Sequence, residues 1–248
     1  MPRDPLSPFV SLYAHRGVSS IETENTIPAF EKAVELGIPG IELDVQWLTS
    51  GEIVVYHDED VARYFATPEG GGKLSQMDMN AVRSLRPISS SAHRGIPLLA
   101  DVFSSTGSSV AFDIEIKGYA IPSIKQLAAL AELIVTAGME AMVVVSSFDP
   151  RILLAWKQLG TAIPAGLIYE DESRKLIEQQ APWEEVISIP DFEKPHYSME
   201  TDIDAAVKKG KTVCVWTVDD ESLGIKLIDK GVRGIISNAP QKLPQIIN

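Results

Sequence analysis

The sequence predicts an α/β protein, a single-domain (β/α)8 TIM barrel that spans residues 1–248. Apolar β-rich runs alternate with amphipathic helical segments, and parallel strands need a crossover of about a dozen residues between them. The strand candidates fit into 248 residues, and a barrel of this kind typically needs about 250 residues. A Gly-rich phosphate loop of the G-x-G-x-x-G type does not follow an early strand, which disfavours an open doubly wound sheet.

The first strand is predicted at 9–14 and is followed by a helix. Asn25 or Thr26 caps this helix, and Pro28 lies in its first turn, where its missing N–H would be unpaired in any case. Gly37 ends the helix. The later strands are predicted at 40–45, 110–116, 142–145, 165–168, 186–189, 212–216 and 234–236. The later helices are predicted at 122–137, 150–159, 173–180, 201–209 and 221–230.

A β-hairpin is predicted directly after the second strand. Turn residues at 49–51 separate the strand from a second β-rich run at 53–56, and they leave no room for a helix. Such a turn would carry His57 back beside the carboxylates of the second strand. Residues 58–97 are predicted to form an insertion near the barrel mouth.

The composition excludes several classes of function. A net charge of -12 argues against a nucleic-acid or anionic-membrane partner. The chain contains neither an apolar run long enough to span a membrane nor a signal peptide, so a cytoplasmic protein is expected. Cys214 is the single cysteine, and a disulfide within the chain is therefore impossible. The sequence gives no signal for an oligomeric state.

Three carboxylates form a candidate metal site. Glu42 and Asp44 are two residues apart on a predicted strand, so both side chains point to one face. They are either solvated on an edge strand or turned into the barrel, where unpaired charge is costly and a cation would be favoured. Glu115 repeats the pattern on another strand, although a buried ion pair with Lys117 would also explain it. Three oxygen ligands suit Mg²⁺ or Ca²⁺ better than zinc.

Two histidines and an arginine lie near these carboxylates. His15 and Arg16 stand where the first strand ends, the position at which barrel enzymes keep their active sites, and Gly17 lets the chain turn sharply. His57 ends the hairpin. Two imidazoles with an ordinary pKa near 6.5 can share acid and base duty. A guanidinium offers bidentate donors to phosphate oxygens.

Four other residues have no definite role from the sequence pattern. Trp216 and Phe148 either fill the core or wall a substrate pocket. His93 and His196 lie in polar, loop-like surroundings and are assigned no function.

In its motifs the chain resembles the glycerophosphodiester phosphodiesterases. The matching elements run from residue 14 to about residue 240, and their order and spacing together are specific. They are Ala14-His15-Arg16-Gly17, Glu24-Asn25-Thr26 with Ala29-Phe30, Glu42-Leu43-Asp44-Val45, His57-Asp58, Ile96-Pro97-Leu98-Leu99, Ile114-Glu115-Ile116-Lys117, Ser147-Phe148 and Trp216-Thr217-Val218.

The resemblance implies a (β/α)8 barrel that hydrolyses glycerophosphodiesters to glycerol 3-phosphate and an alcohol with a divalent cation, Mg²⁺ or Ca²⁺. It implies roles for eight residues by motif: His15 and His57 as the acid–base pair, Glu42, Asp44 and Glu115 as metal ligands, Arg16 and Lys117 as phosphate ligands, and Trp216 as a pocket wall. The sequence departs from the family where Asn238 replaces an aspartate, which we expect to alter how Arg16 or its surroundings are held.

Two other functions are compatible with the sequence. One is a cyclising phospholipase-type phosphodiesterase of the same barrel, which would release a cyclic phosphate as its final product. The other is a catalytically silent phosphate-ester binding protein, which would have no need of two proton-transfer groups. The sequence leaves open whether water or a neighbouring glycerol hydroxyl attacks the phosphorus.

Overall fold

Strands and helices alternate through the computed structural model of the chain, which describes residues 8–67, 71–88 and 95–247. The strands are β1 (Leu12–His15), β2 (Gly40–Trp47), β3 (Ile53–Val55), β4 (Phe65–Ala66), β5 (Arg86–Pro87), β6 (Ala111–Ile116), β7 (Val143–Ser147), β8 (Ala165–Tyr169), β9 (Phe192–Pro195), β10 (Thr212–Val215) and β11 (Gly234–Ser237). The α-helices are α1 (Ile27–Glu35), α2 (Met79–Ser84), α3 (Leu99–Thr106), α4 (Ile124–Thr136), α5 (Pro150–Gln158), α6 (Asp171–Glu178), α7 (Trp183–Val186), α8 (Glu200–Lys208), α9 (Glu221–Asp229) and α10 (Pro244–Ile247). Within these ranges, every helix is too short or too polar to cross a membrane.

Eight parallel strands close into a barrel, which confirms the predicted fold. The ring runs from β1 through β11, β10, β9, β8, β7 and β6 to β2, and pairing between β1 and β2 closes it. The main apolar core lies between the strands and the surrounding helices. A second apolar cluster, which includes Tyr13, Phe192 and Cys214, lies on the opposite face of the strands and fills part of the barrel interior.

The register of the strands places the predicted site residues at neighbouring positions. Pairing of β1 with β2 sets His15 opposite Glu42, and pairing of β2 with β6 sets Asp44 opposite Glu115. The apolar residues that alternate with the two carboxylates on β2 are buried in the main core. Both carboxylates therefore point into the barrel, as the alternation of side chains along a strand requires.

The turn between β1 and α1 is built as predicted, with one change of role. Thr26 caps α1, since its Oγ1 accepts a hydrogen bond from the backbone N–H of Ala29. Asn25 instead adopts the left-handed region with φ 55°, which asparagine tolerates better than most residues. Gly17 has φ +81°, and a Cβ there would lie 2.7 Å from Ala29. Only glycine fits this turn without strain.

The predicted strand at 186–189 is wrong. Helix α7 ends at Val186. The apolar side chain of Val186 packs against the main core as part of this helix. The strand follows instead at β9, whose sequence is Phe-Glu-Lys-Pro. Its two charged residues face opposite ways: Glu193 accepts a hydrogen bond from Tyr169, and Lys194 points into the barrel toward Asp113.

The hairpin after β2 is confirmed, because β3 pairs antiparallel with β2. Within the described part of 58–97, short helices and the β4–β5 pair surround a small apolar cluster. This cluster joins Val61, Phe65, Leu74 and Val82 to Leu48, Val54 and Tyr56 of the hairpin. Helix α3, which the sequence pattern did not predict, then leads to β6.

Candidate active site

The carboxyl ends of the strands surround a cleft of about 110 Å³. We call it the cleft; its lining includes His15, Arg16, Glu42, His57, Glu115, Lys117, Phe148, Lys194 and Trp216. Asp44 lies beside Glu42 and Glu115 in the same group of acidic side chains. The structure thus brings together every residue that the sequence assigned to the site.

Three buried carboxylates cluster at one side of the cleft. Glu42, Asp44 and Glu115 each offer an oxygen, and these atoms all lie within 4.8 Å of one another. Lys117 Nζ lies 2.5 Å from Glu115 Oε1 and 3.3 Å from Asp44 Oδ1. The two interpretations of Glu115 are therefore compatible, since it belongs both to an ion pair and to a carboxylate cluster.

Charge is distributed unevenly within this cluster. Burial, followed by repulsion from Asp44 and Glu115, raises the pKa of Glu42 to about 8, although the ammonium of Lys194 opposes the shift. Burial alone would also raise the pKa of Asp44, but Lys117 and Arg16 hold it below its ordinary value. Repulsion among the carboxylates is thus concentrated on Glu42, and a bound cation would relieve it.

The donor set fits a hard divalent cation. Asp44 Oδ1 is buried, and no group among the described residues donates a hydrogen bond to it. Together with Glu42 and Glu115 it offers carboxylate oxygens only, the ligands that Mg²⁺ and Ca²⁺ take. These three residues could therefore hold one such ion.

Arg16 is held by contacts with three acidic side chains. It adopts the left-handed region with φ 56°, and its backbone N–H donates to Glu42 Oε2 at 3.2 Å. Its guanidinium lies 3.3 Å from Asp44 Oδ2 and donates to Glu24 Oε1 at 3.1 Å. Asn25, to which sequence reasoning gave no site role, donates from Nδ2 to Asp44 Oδ2 at 2.7 Å. The only signal for Asn25 was its place in the Glu24-Asn25-Thr26 motif.

His15 is oriented by a chain of hydrogen bonds. Its Nδ1 lies 2.6 Å from Asn238 Oδ1, and Asn238 Nδ2 donates to Asp219 Oδ2 at 2.9 Å. An ionised carboxylate can only accept, so the amide NH₂ must face Asp219 and the amide oxygen must face His15. His15 therefore carries its proton on Nδ1 and leaves Nε2, 3.8 Å from Glu42 Oε2, unprotonated. Burial and then Arg16 lower the pKa of His15 to about 4.

Asn238 therefore forms a hydrogen bond with His15, and it can affect Arg16 only through this adjacent histidine. The partner of this histidine is thus a neutral amide. The negative charge lies on Asp219, which is separated from His15 by the amide of Asn238. Asp219 also accepts hydrogen bonds from Ser237 Oγ and from the backbone N–H of Asn238, both at 2.8 Å.

His57 has a different partner. Its Nδ1 lies 2.6 Å from Asp58 Oδ1, so a carboxylate contacts this imidazole directly. Arg63 of the 58–97 segment lies 3.6 Å from Asp58 Oδ2 and also donates to Glu24 Oε1 at 3.1 Å. The 58–97 segment thus contacts residues that hold both His57 and Arg16.

Lys194 is the main site residue that the sequence analysis missed. It is buried, and its Nζ lies 2.9 Å from Asp113 Oδ2 and 3.7 Å from Glu42 Oε1. It also donates to Ser146 Oγ at 3.2 Å. The misplacement of the sixth barrel strand concealed this lysine.

Aromatic rings form one wall of the cleft. Trp216 and Phe148 meet edge to face with ring centroids 5.5 Å apart, and Trp216 Nε1 donates to Lys194 O at 2.9 Å. Trp216 also packs on the apolar cluster inside the barrel, so it is at once core and wall. The ring centroid of His196 lies 5.1 Å from that of Trp216, and His196 also forms a hydrogen bond with Ser198. His93 lies outside the described residues.

The structure is a parallel (β/α)8 barrel with carboxylates, histidines, an arginine and lysines at its carboxyl-terminal mouth. These are the features of a phosphate-ester hydrolase of this fold. Residues 15–242 match the model of the glycerophosphoryl diester phosphodiesterase family. The chain belongs to this family and is an enzyme of it, as the motifs predicted.

Relatives match over nearly the whole chain. A glycerophosphodiester phosphodiesterase of Caldanaerobacter subterraneus subsp. tengcongensis is 32% identical over 244 residues, which cover 94% of this chain and 96% of that protein. The structure of a glycerophosphodiester phosphodiesterase from Thermotoga maritima is 25% identical, with a TM-score of 0.74 and coverage of 96% of this chain and 98% of that one. An Oleispira antarctica phosphodiesterase in complex with the product sn-glycerol-3-phosphate shares the fold with a TM-score of 0.78 at 22% identity, over 96% of this chain and 97% of that one.

Proposed function

We propose that this protein hydrolyses glycerophosphodiesters to glycerol 3-phosphate and an alcohol, with two histidines as the proton-transfer groups beside a divalent cation. The observation that carries the proposal is the meeting of the three-carboxylate cluster with His15 and His57 at one cleft. The product complex of the Oleispira antarctica phosphodiesterase, which has the same fold, supports the choice of substrate.

Glu42, Asp44 and Glu115 would hold the cation, Mg²⁺ or Ca²⁺. When bound, such an ion neutralises negative charge on phosphoryl oxygens. Arg16 and Lys117, which flank Asp44 at 3.3 Å each, would bind the remaining phosphate oxygens. Trp216 would hold the carbon chain of the substrate.

The two histidines would have opposite duties. The unprotonated Nε2 of His15 accepts the proton of the attacking hydroxyl, and His57 donates a proton to the oxygen of the departing alcohol. The hydrogen-bond partners support this division, because Nδ1 of His57 contacts the carboxylate of Asp58, whereas Nδ1 of His15 contacts the neutral amide of Asn238.

Release of glycerol 3-phosphate from glycerophosphocholine tests the proposal. We expect turnover that EDTA abolishes and that either Mg²⁺ or Ca²⁺ restores. The same cation is expected to raise Tm, because a ligand at about 100 times its Kd stabilises the folded state by about 2.7 kcal/mol. Phosphorus NMR of the products distinguishes the cyclising reaction, in which a cyclic phosphate accumulates.

The matched control for the cation site is Glu115→Gln, which keeps the shape of the side chain and removes one anionic ligand. Its Tm is expected to respond less to the cation than that of the wild type. Full turnover in EDTA would contradict the metal site, and an absence of turnover on every glycerophosphodiester with every cation would contradict the function.

Asp219→Asn is expected to lower kcat by about tenfold to a hundredfold, by analogy with the loss of an outer hydrogen bond that orients a metal-bound histidine. With an amide at position 219, the NH₂ group of Asn238 loses its acceptor and the amide is free to turn its NH₂ toward His15. His15 would then take the wrong tautomer. The measurement is kcat and KM on glycerophosphocholine, with KM expected to change little.

The double variant Asp219→Asn/Asn238→Asp is the matched control. It exchanges the two groups, so an acceptor oxygen again faces His15 Nδ1, and an amide now stands behind it in place of the carboxylate. We expect it to recover most of the lost kcat. Equal losses in the single and double variants would show that Asp219 acts only on the local fold.

A further inference from the structure

A cavity of about 710 Å³ opens beside the cleft. We call it the side cavity. It shares four lining residues with the cleft, namely His57, Glu115, Lys117 and Phe148. A ligand whose phosphate lies in the cleft can therefore extend into the side cavity past His57, on the side where a proton would reach the departing alcohol.

Beyond the shared residues, the described walls of the side cavity are largely apolar. They include Tyr119, Pro150, Leu176, Ile177, Ala181 and Val186. Apart from the hydroxyl of Tyr119, the uncharged polar side chains of this lining are those of Ser173 and Gln180. Its charged residues are Asp149 and Arg151, which bind each other through contacts of 2.6 and 2.9 Å. A charged head group would thus find no free counter-charge on these walls.

The far wall is held in place by packing. Ile177 and Val186 belong to the main core. Trp183 meets Tyr169 edge to face at 5.0 Å, and the guanidinium of Arg174 lies 4.8 Å from its ring centroid. The side cavity is therefore formed before a ligand enters, which lowers the entropic cost of binding.

The rim of the side cavity leaves apolar surface in water. Leu176 is 59% exposed and Tyr119 is 43% exposed, and both line the cavity. A ligand that covered them would gain the free energy of removing apolar area from water. These two residues favour an occupant with carbon chain along its length.

The two spaces differ in size as well as in polarity. The side cavity, at about 710 Å³, is more than six times as large as the cleft, at about 110 Å³. A glycerol-sized group suits the polar cleft, whereas a small polar alcohol would leave most of the apolar wall wet.

On these grounds we propose that the side cavity receives the alcohol moiety of the substrate, and that this alcohol carries an aliphatic chain. The inference rests on the proposed function and specifies its substrate. Hydrolysis of the phosphodiester would place glycerol 3-phosphate in the cleft and release the aliphatic alcohol through the rim at Leu176 and Tyr119.

The test is a series of glycerol 3-phosphate esters of ethanol, butanol, hexanol and octanol. We expect kcat/KM to rise with chain length by up to about fourfold per methylene, which corresponds to about 0.8 kcal/mol per buried CH₂. A second series carries the same chains as ethers on the glycerol and keeps ethanol as the alcohol. It is expected to show no such rise.

Leu176→Glu places a charge at the rim and is expected to lower kcat/KM for the octyl ester about tenfold, because an alkyl chain cannot solvate a carboxylate. The ethyl ester should be unaffected. Leu154→Glu on α5 is the matched control, since Leu154 is 49% exposed and does not line the side cavity.

Three outcomes would overturn the inference. A flat alcohol series with good turnover of the ethyl ester would overturn it alone and leave the proposed function intact. A gain confined to chains on the glycerol would assign the side cavity to the other half of the substrate. Failure to hydrolyse any ester with any cation would overturn the proposed function together with the inference.

Discussion

Replacement of His15 or His57 by alanine is expected to lower kcat by about 10²- to 10⁴-fold, the usual contribution of a general acid or base. Each imidazole is a partly buried member of the cleft, and each is anchored through Nδ1, His15 to Asn238 and His57 to Asp58. Alanine removes the proton-transfer atom and leaves the carboxylate cluster in place. The measurement is kcat on glycerophosphocholine at saturating cation.

The matched control is His196→Ala. His196 is a third histidine close to the cleft, where it packs on Trp216 and bonds Ser198. Among the described residues, it contacts neither the three carboxylates nor Arg16 and Lys117, so the kcat of the variant should stay close to that of the wild type. Circular dichroism and Tm of all three variants exclude loss of folding as the cause.

The double variant His15→Ala/His57→Ala adds a further test. If the two histidines act on the same transition state, removal of both should cost much less than the product of the single losses, because groups that act as a unit are strongly non-additive. Near-normal turnover by folded His15→Ala would refute the acid–base assignment. A fully multiplicative loss would instead indicate two independent steps.

Most of the site could be predicted because strand geometry determines it locally. Two carboxylates with a spacing of two residues must share a face of β2, and the apolar residue between them must take the other face. Glu115 follows the same rule on β6. What the pattern could not supply is the pairing that sets Asp44 opposite Glu115, since register depends on the closure of the whole barrel.

The site contacts of two asparagines could not be predicted from the local sequence. Asn25 and Thr26 are both good helix caps by composition, and only the tertiary contact with Asp44 decides that Asn25 serves the site. Asn238 lies more than two hundred residues from His15 in sequence, and closure of β1 against β11 brings them together. Contacts of this range have no signature in a single sequence.

The misplaced strand has a simpler physical cause. Val186 and Ile189 are apolar, but they pack against the main core from a helical turn and its end. Strand β9 carries a glutamate and a lysine, which periodicity alone marks as solvent-exposed. Buried charges of this kind are stable when they are paired, as Lys194 is with Asp113 inside the barrel. The sequence therefore concealed both the strand and the buried lysine that it carries.

That lysine gives the second large prediction. Lys194→Met is expected to destabilise the folded state by about 3–5 kcal/mol, because it leaves the carboxylates of Asp113 and Glu42 buried without their cation. For a chain of this size the loss corresponds to roughly 10 °C in Tm. Lys194 also counteracts the raised pKa of Glu42, so the carboxyl group of Glu42 should hold its proton more tightly in the variant.

The exposed pair Lys157–Asp191 provides a matched control. Its N···O distance is 2.5 Å, shorter than that of Lys194 and Asp113, but the side chains are 42% and 40% exposed. Water screens such a pair, and the expected loss for Lys157→Met is below about 1 kcal/mol. A comparison of the two variants by urea denaturation separates the cost of burial from the geometry of the contact.

Lys194→Met/Asp113→Asn should recover a large part of the stability. The amide at position 113 can still accept the hydrogen bond from Ser146 Oγ, which lies 2.6 Å from Asp113 Oδ1, and it no longer needs a cation. The recovery follows because the cost of the single variant is the unpaired charge that remains, which is larger than the net worth of the pair. If the double variant is no more stable than Lys194→Met, the destabilisation must come from the carboxylate of Glu42 or from lost packing of the lysine stem.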